Sequence, residues 1–390
     1  MGIAVVQRRR RLATSSTPVH AHAPTGQPGL AWDGWREFKV VQRSFEDPAR
    51  TQCSFHLQPL DGHALPAFRP GQFLTISLDV ANGTTDARTI TRCYSLSDGP
   101  DPARYRLTVK RVPAPHDLPE VLPGLSSNHL HDHVRVGDVL RAKAPSGRFY
   151  IDPDESVPAV LVGGGIGITP MMSMLSWCLA NQPRREVRLY YGLRNGDEHA
   201  FKARLEELAA SHPALSLHVV YSRPAPTDVQ GRDYQHVGHV DVELLRRTLP
   251  HGRHQFYVCG PPAMMQSLVP ALAAWGVPVA DIRYEAFGPA SVKLPGAQAA
   301  PVAGDAGVEV RFQRSGRTLS WDGRDASLLD FAERHGIEVE SGCRSGGCGS
   351  CQTRVLEGSV RYEHEPDHDV APGHCLLCVG QPEASVVLEA

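Results

Sequence analysis

No stretch of this chain approaches the roughly eighteen consecutive apolar residues that a bilayer-crossing helix needs. Its longest greasy windows, such as 159–162, are strand-sized, so no membrane association is expected. An excess of charge of one sign is also missing: 40 Lys and Arg stand against 42 Asp and Glu, a formal charge of -2. Such a chain has no general field to gather phosphate backbones, and nucleic acid is not an expected partner. Internal repeats are lacking, and 36 Gly with 32 Pro among 390 residues fall short of a low-complexity composition. Arg8, Arg9, Arg10 and Arg11 are followed by Leu12, Ala13, Thr14, Ser15 and Ser16, where an export signal would need a hydrophobic core. Residues 1–30 therefore read as a flexible tail.

What remains is ordinary globular material, 41% hydrophobic and 21% charged, long enough for two to four domains. Short strand-like runs at 37–42, 51–57, 73–78, 105–110 and 139–142 alternate with turn residues, which predicts a small antiparallel β-barrel over 31–152. Beyond Pro158 the pattern changes. Strands at 159–162, 187–191, 215–221 and 255–258 alternate with helices at 171–179, 200–210, 242–249 and 263–275, which predicts an α/β doubly wound parallel sheet over 153–290. An Ala-, Pro- and Gly-rich stretch suits a linker at 291–306. The remainder, 307–390, opens with two strand-like runs around Ser315 and Gly316, continues with a short helix near 326–335, and then loops through its cysteines.

Nine cysteines are an odd number in a chain too long to need disulfide staples, and five of them lie in the last fifty residues. That clustering points to metal and to a reducing cytoplasm. Cys343, Cys348 and Cys351 stand in the spacing CxxxxCxxC, and the intervening glycines let backbone amides turn toward the sulfurs. Zinc sites usually offer paired CxxC knuckles, so the five-residue step argues against zinc. A fourth thiolate is required, and Cys375 and Cys378 both lie downstream. The segment resembles the plant-type ferredoxins, through Cys343, Arg344, Gly346, Cys348, Gly349 and Cys351 and the later Gly373, Leu376 and Cys378. That resemblance implies an α+β β-grasp fold and a [2Fe-2S] cluster held by Cys343, Cys348, Cys351 and Cys378. Cys375 departs from the family pattern as a spare thiol, while Cys53, Cys93 and Cys178 read as small core residues.

Arg92, Cys93, Tyr94 and Ser95 form RxYS directly after a strand-like stretch, and Gly124, Ser127 and Leu130 fit GxxSxxL. A flavin dinucleotide asks for a cation at its pyrophosphate, a flat ring against its isoalloxazine, a hydroxyl near its reactive nitrogen and open amides at a helix start. Both motifs offer those groups. The run resembles the ferredoxin-NADP reductase superfamily, in particular the reductase part of flavohaemoglobins. The resemblance implies FAD, with Arg92 and Ser127 on the pyrophosphate, Tyr94 stacked on the flavin, Ser95 beside N5, and Ser126 and Lys110 as lesser contacts. A proline-rich stretch at 113–123 separates the two elements and suggests an extra flap.

Gly163, Gly164, Gly165, Gly167, Thr169 and Pro170 end a buried strand and begin a helix, where the glycines permit positive backbone angles, Thr169 offers a cap and Pro170 fits the first turn. Cys259, Gly260 and Pro261 end a later strand, and Tyr284, Glu285, Ala286, Phe287 and Gly288 close the unit. These complete the same family pattern, which implies NAD(P)H as cosubstrate, Cys259 at the nicotinamide, Glu285 along the hydride path and Phe287 over the flavin. Arg194, Ser222, Arg223 and Arg232 offer contacts for a 2′-phosphate and lean toward NADPH, though they read equally as solvated surface groups. His129, His131 and His133, like His364, His368 and His374, read as solvated loop histidines. The acidic run Glu363, Glu365, Asp367 and Asp369 reads as a soluble face that would also suit a basic redox partner. The whole predicts a monomeric reductase whose redox partner protein is an oxygenase component. Its rivals are a reductase of another acceptor, such as a hybrid-cluster protein, a ferredoxin or a nitric-oxide system, and a redox sensor.

Overall fold

The computed structural model describes residues 31–390 apart from 82–86, 115–122, 288–307, 345, 363–365 and 367. The expected tail and linker, Gly288, most of the proline-rich stretch, His364 and all of the acidic run but Asp369 thus lie outside the described residues.

Strands β1 (Arg36–Phe45), β2 (Gln52–Pro59), β3 (Phe73–Ala81), β4 (Ala87–Ser95), β5 (Tyr105–Lys110) and β6 (Val139–Ala142) form an antiparallel sheet in the order β4-β3-β6-β1-β2-β5. Its ends meet: Leu96 bridges Leu107, and the Ser97 amide donates to Arg106 O at 2.9 Å. The sheet therefore curls into the expected barrel. Phe38, Val40, Phe55, Leu57, Leu74 and Ile76 fill its interior, and Leu130 of helix α1 (Leu125–Asp132) closes one end. The RxYS motif lies within β4 rather than after it.

The second unit is a fully parallel sheet of β7 (Ala159–Gly164), β8 (Val187–Leu193), β9 (Leu215–Tyr221), β10 (His236–Val237), β11 (Gln255–Gly260) and β12 (Ile282–Ala286), in the order β10-β9-β8-β7-β11-β12. Ala159 and Leu161 of β7 face a core shared with α2 (Ile168–Asn181) and α3 (Lys202–Ser211). Val160 and Val162 face the opposite core, shared with α4 (Val242–Thr248) and α5 (Pro262–Ala274). Helices on both faces explain why β7 reads as a continuous apolar run rather than as an alternation. The strand order reverses at β7, between β8 and β11, which opens a crevice at their carboxyl ends.

The third unit contains β13 (Val308–Phe312), β14 (Arg317–Trp321), α6 (Leu328–Arg334), β15 (Gln352–Glu357), β16 (Val360–Tyr362), β17 (His374–Leu376), β18 (Gly380–Pro382) and β19 (Val386–Leu388). The main sheet runs β14-β13-β19-β15-β17, with β19 parallel to β13 and antiparallel to β15. Leu328, Leu329 and Phe331 of α6 pack on it, and Ser327 caps that helix by accepting from the Asp330 amide at 3.2 Å. The segment expected to loop through the cysteines instead carries β15 to β19. These strands are short and broken by glycines, so no long apolar alternation announces them.

Candidate functional site

A cavity of about 540 Å³ opens where the three units meet. Arg92, Cys93, Tyr94 and Ser95 of β4, Lys110, and Gly124, Ser126 and Ser127 at the head of α1 line it from the barrel. Ile166, Thr169, Glu285 and Phe287 line it from the parallel sheet, and Gly342, Cys343 and Arg344 from the third unit. The Tyr94 and Ser126 hydroxyls bond at 2.7 Å, which pins the phenol ring against the helix start. Burial pushes that phenol up to about 12, so it remains neutral. The Ser127 hydroxyl donates to Gly124 O at 3.1 Å and accepts from the Val112 amide at 3.3 Å. A Cβ on Gly124 would stand 2.9 Å from Val112 Cβ, so only glycine lets the chain turn so tightly into α1. Arg92 Nη1 donates to Thr91 O at 2.7 Å while its side chain borders the cavity. These groups supply a cation, a flat ring, hydroxyls and a helix amino end on one wall, a donor set that fits a flavin dinucleotide.

Lys110 reaches the cavity too, but its amine pairs with Glu198 at 2.7 Å, and Gln52 donates to Glu198 O at 2.9 Å. Lys110 is thus a strut between barrel and parallel sheet more than a loose cofactor contact. Glu198 was not singled out in the sequence, because one carboxylate in a polar turn carries no signal.

At the crevice, the glycines divide their work. Gly165 has φ of +52° and nothing within 4 Å of an added Cβ, leaving open space. Gly167 has the opposite surroundings: a Cβ there would stand 2.2 Å from Cys259 O and 2.8 Å from Gly260 N. A Cβ on Gly163 would stand 3.1 Å from Ile168 Cα, and one on Gly260 2.7 Å from Met264 Cε. Of these four, only Gly165 faces open space, while the others let β7, α2 and β11 approach. Thr169 is not the helix cap; Gly167 occupies that position, and Thr169, inside the first turn beside Pro170, donates its hydroxyl to Ile166 O at 3.0 Å. A short helical turn at 165–167 runs straight into α2 and moves the cap two residues earlier than expected.

Across the barrel–sheet boundary, Ser95 Oγ donates to Glu285 Oε2 at 3.3 Å. Glu285 is the register partner of Cys259 on the neighbouring strand. Burial and the nearby Glu285 charge push the Cys259 thiol well above its ordinary value, so it stays neutral. Ser95, Glu285 and Phe287, distant in sequence, thus line one corner of the cavity, while Cys259, fully buried, stands beside Glu285 on the neighbouring strand without reaching the lining. Toward the end of β9, the Ser222 amide donates to Leu193 O and the Arg223 amide to Arg194 O, both at 2.9 Å. Arg194 and Arg232 already face carboxylates, Glu198 at 3.0 Å and Asp233 at 2.8 Å, whereas the Arg223 side chain is exposed.

The cysteine loop runs through positive φ at Arg344 (58°), Gly346 (76°) and Gly349 (68°), which turns its amides inward. The Cys343 amide donates to Cys348 Sγ and the Gly347 amide to Cys343 Sγ, each at 3.2 Å. Cys351 is held below the usual thiol range by hydrogen bonding from Cys378, while contacts with Cys343 and Cys351 push Cys378 up. Hydrogen bonding thus links the four sulfurs in turn, Cys348 to Cys343, Cys343 to Cys378 and Cys378 to Cys351, a donor set that fits the iron-sulfur chemistry expected of them. Cys375 lies instead in the sheet core, where burial pushes its thiol up to about 12. Arg344 pairs with Glu333 of α6 and so ties the loop to the helix.

Two readings need correction. Cys93 is not a core residue: its sulfur and those of Cys343 and Cys348 all lie within 4.8 Å of one another. His131 is buried, 3% exposed, with Nε2 bonded to Val109 O at 2.8 Å, because helical spacing places it beside Ser127 and Leu130 on the inner face of α1. Asp369, its side chain 85% exposed, lies on the surface as expected and there meets Arg148 of the barrel at 3.3 Å. Cys53 and Cys178 are buried as expected, and none of the nine cysteines is in a disulfide.

Residues 51–151 match the oxidoreductase FAD-binding domain family, 161–269 the oxidoreductase NAD-binding domain family and 310–383 the 2Fe-2S iron-sulfur cluster binding domain family. The flavohem-like FAD/NAD binding domain of nitric oxide dioxygenase from Vibrio cholerae O1 biovar El Tor superposes with a TM-score of 0.57 and 34% identity, over 65% of this chain and 99% of that one. The chain belongs to the ferredoxin-NADP reductase superfamily. Within that superfamily it is an NAD(P)H-dependent iron-sulfur flavoprotein oxidoreductase, with FAD and a [2Fe-2S] cluster as cofactors. Phthalate dioxygenase reductase, described as a modular structure for electron transfer from pyridine nucleotides to [2Fe-2S], is similar over 92% of this chain and 98% of its own, with a TM-score of 0.54 and 26% identity. A flavohemoprotein of Rhizobium meliloti (strain 1021) is 40% identical over 259 residues, 66% of this chain. The chain spans 62% of that relative's length.

Proposed function

We propose that this reductase takes electrons from NAD(P)H and hands them singly to an oxygenase component, acting as a cytoplasmic monomer. The observation that carries the relay is the one cavity to which β4, β12 and the cysteine loop all contribute. Bound there, the nicotinamide would supply hydride chemistry, and the flavin and two-iron cluster would supply the conversion from paired to single electrons. The chain's residues do the holding. Arg92 and the amides at the head of α1 would bind pyrophosphate, with Ser127 fixing that turn, and Tyr94, anchored by Ser126, would bear on the flavin ring. Gly165 leaves room for the nucleotide. Ser95 and Glu285 would fix polar groups beside the reacting carbon, Cys259 would pack next to it as a neutral thiol, and Phe287 would exclude water. Cys343, Cys348, Cys351 and Cys378 would ligate the cluster. Exposed Arg223, with Ser222, favours NADPH.

An oxygenase as acceptor is supported by likeness to phthalate dioxygenase reductase across all three units. The second reading, a nitric-oxide system, is supported by the 40% identity to flavohemoprotein. Among the described residues no helix is long and apolar enough to cross a membrane. Steady-state assays of the wild type and Cys348→Ser test the relay. We expect Cys348→Ser to lose at least about tenfold of its cytochrome c reduction with either coenzyme while ferricyanide reduction persists. Equal loss with both acceptors, or no loss with either, would contradict it. Comparing NADH and NADPH in the same assay tests the coenzyme.

A further inference from the structure

Cys93 occupies the free position of RxYS, on the strand that carries Arg92 and Tyr94, yet its sulfur lies with those of Cys343 and Cys348 in one group, all within 4.8 Å. It stands opposite Thr75 in the β3–β4 register, and Thr75 Oγ1 lies 3.4 Å from its sulfur. The same loop sulfurs already receive the amides of Cys343 and Gly347. Ser350 Oγ lies 3.4 Å from Cys348 Sγ. Every donor to those sulfurs so far named comes from the cysteine loop itself, whereas Cys93 comes from the barrel. Arg148 and Asp369 add a second tie between the same two units at 3.3 Å.

We propose that Cys93 is a positioning residue, whose S–H donates across the unit boundary to the Cys343 and Cys348 sulfurs and thereby raises the cluster's reduction potential. The proposal rests on the ligand assignment given above. A thiol is a weak donor, and a hydrogen bond to a cluster sulfur favours the reduced state, whose added negative charge it stabilises. Because the donor belongs to the strand that bears the flavin contacts, the bond forms only when the cysteine loop is seated against the barrel. Cys93 thus links cluster potential to docking of the third unit.

The test uses the full-length holoprotein as wild type, Cys93→Ala and Cys93→Ser, with iron and sulfide analysis and a reductive titration that follows the cluster by electron paramagnetic resonance and the flavin by absorbance. In Cys93→Ala we expect iron content as in wild type, an unmoved flavin potential, and cluster reduction less favourable by up to about tenfold, equivalent to about 59 mV for one electron. Cys93→Ser, which keeps a donor, should recover most of the shift. A cluster potential in Cys93→Ala equal to wild type overturns the proposal. So does loss of iron from Cys93→Ala, which would make Cys93 a ligand. A wild-type protein that lacks iron would instead remove the ligand assignment beneath it.

Discussion

At the scale of single residues, the family motifs announce which side chains gather at the cavity, but not what each does there. Gly167 shows the difference. A glycine-rich turn suggests a phosphate cradle, yet the space beside Gly167 is filled by Cys259 O at 2.2 Å from an added Cβ, while Gly165 faces open space. Because the obstacle is backbone, Gly167→Ala must push α2 from β11, and overpacking of this kind costs about 1–3 kcal/mol. The expected result is a lower thermal midpoint and weaker coenzyme binding, with FAD retained. An unchanged midpoint would show that the strand end yields freely. Cys93 was legible as a motif member and Lys110 as a lesser cofactor contact, but neither as a contact between units, because a strand's sequence does not state which neighbour covers it.

At the scale of elements, strands β5, β6 and β9 fall where the sequence places them, since turn residues bracket each apolar run. The short strands beyond Cys351 and the inward turn of His131 escaped notice for a common reason. Both depend on tertiary packing rather than on local periodicity, and HxHxH on α1 reads as a polar alternation until helical spacing brings His131 onto the buried face with Ser127. The turn after β8 holds a further consequence. His199 is 2% exposed, its Nδ1 bonds the Tyr221 hydroxyl at 2.8 Å, and burial pushes its pKa down to about 4. The unfolded chain takes up this proton near 6.5, before the folded one does. Above that pH His199 adds no pH dependence; as pH falls from about 6.5 toward 4 it costs about 1.4 kcal/mol of stability per unit, and the loss then levels off. Denaturant unfolding at pH 6.5 and 5.5 checks the sign, and His199→Gln should flatten the dependence by roughly that amount. An identical pH slope in the variant would mean that the imidazole takes up its proton at the same pH folded and unfolded, so that burial does not shift it.

For the whole molecule, the order of barrel, parallel sheet and ferredoxin-like unit was legible, because each has its own period and its own motifs. The meeting of all three at one cavity was not, since nothing in a linear pattern fixes how separately folded units dock. That meeting gives the relay its physical basis: Ser95 bonds Glu285 across one boundary, and Cys93 lies against Cys343 and Cys348 across another. An anaerobic titration of the full-length protein with NAD(P)H, reading flavin absorbance and the iron signal together, tests this most directly. The account predicts that both respond, with reduced iron rising as the flavin band is lost. A flavin that bleaches completely while the iron remains oxidised would contradict it.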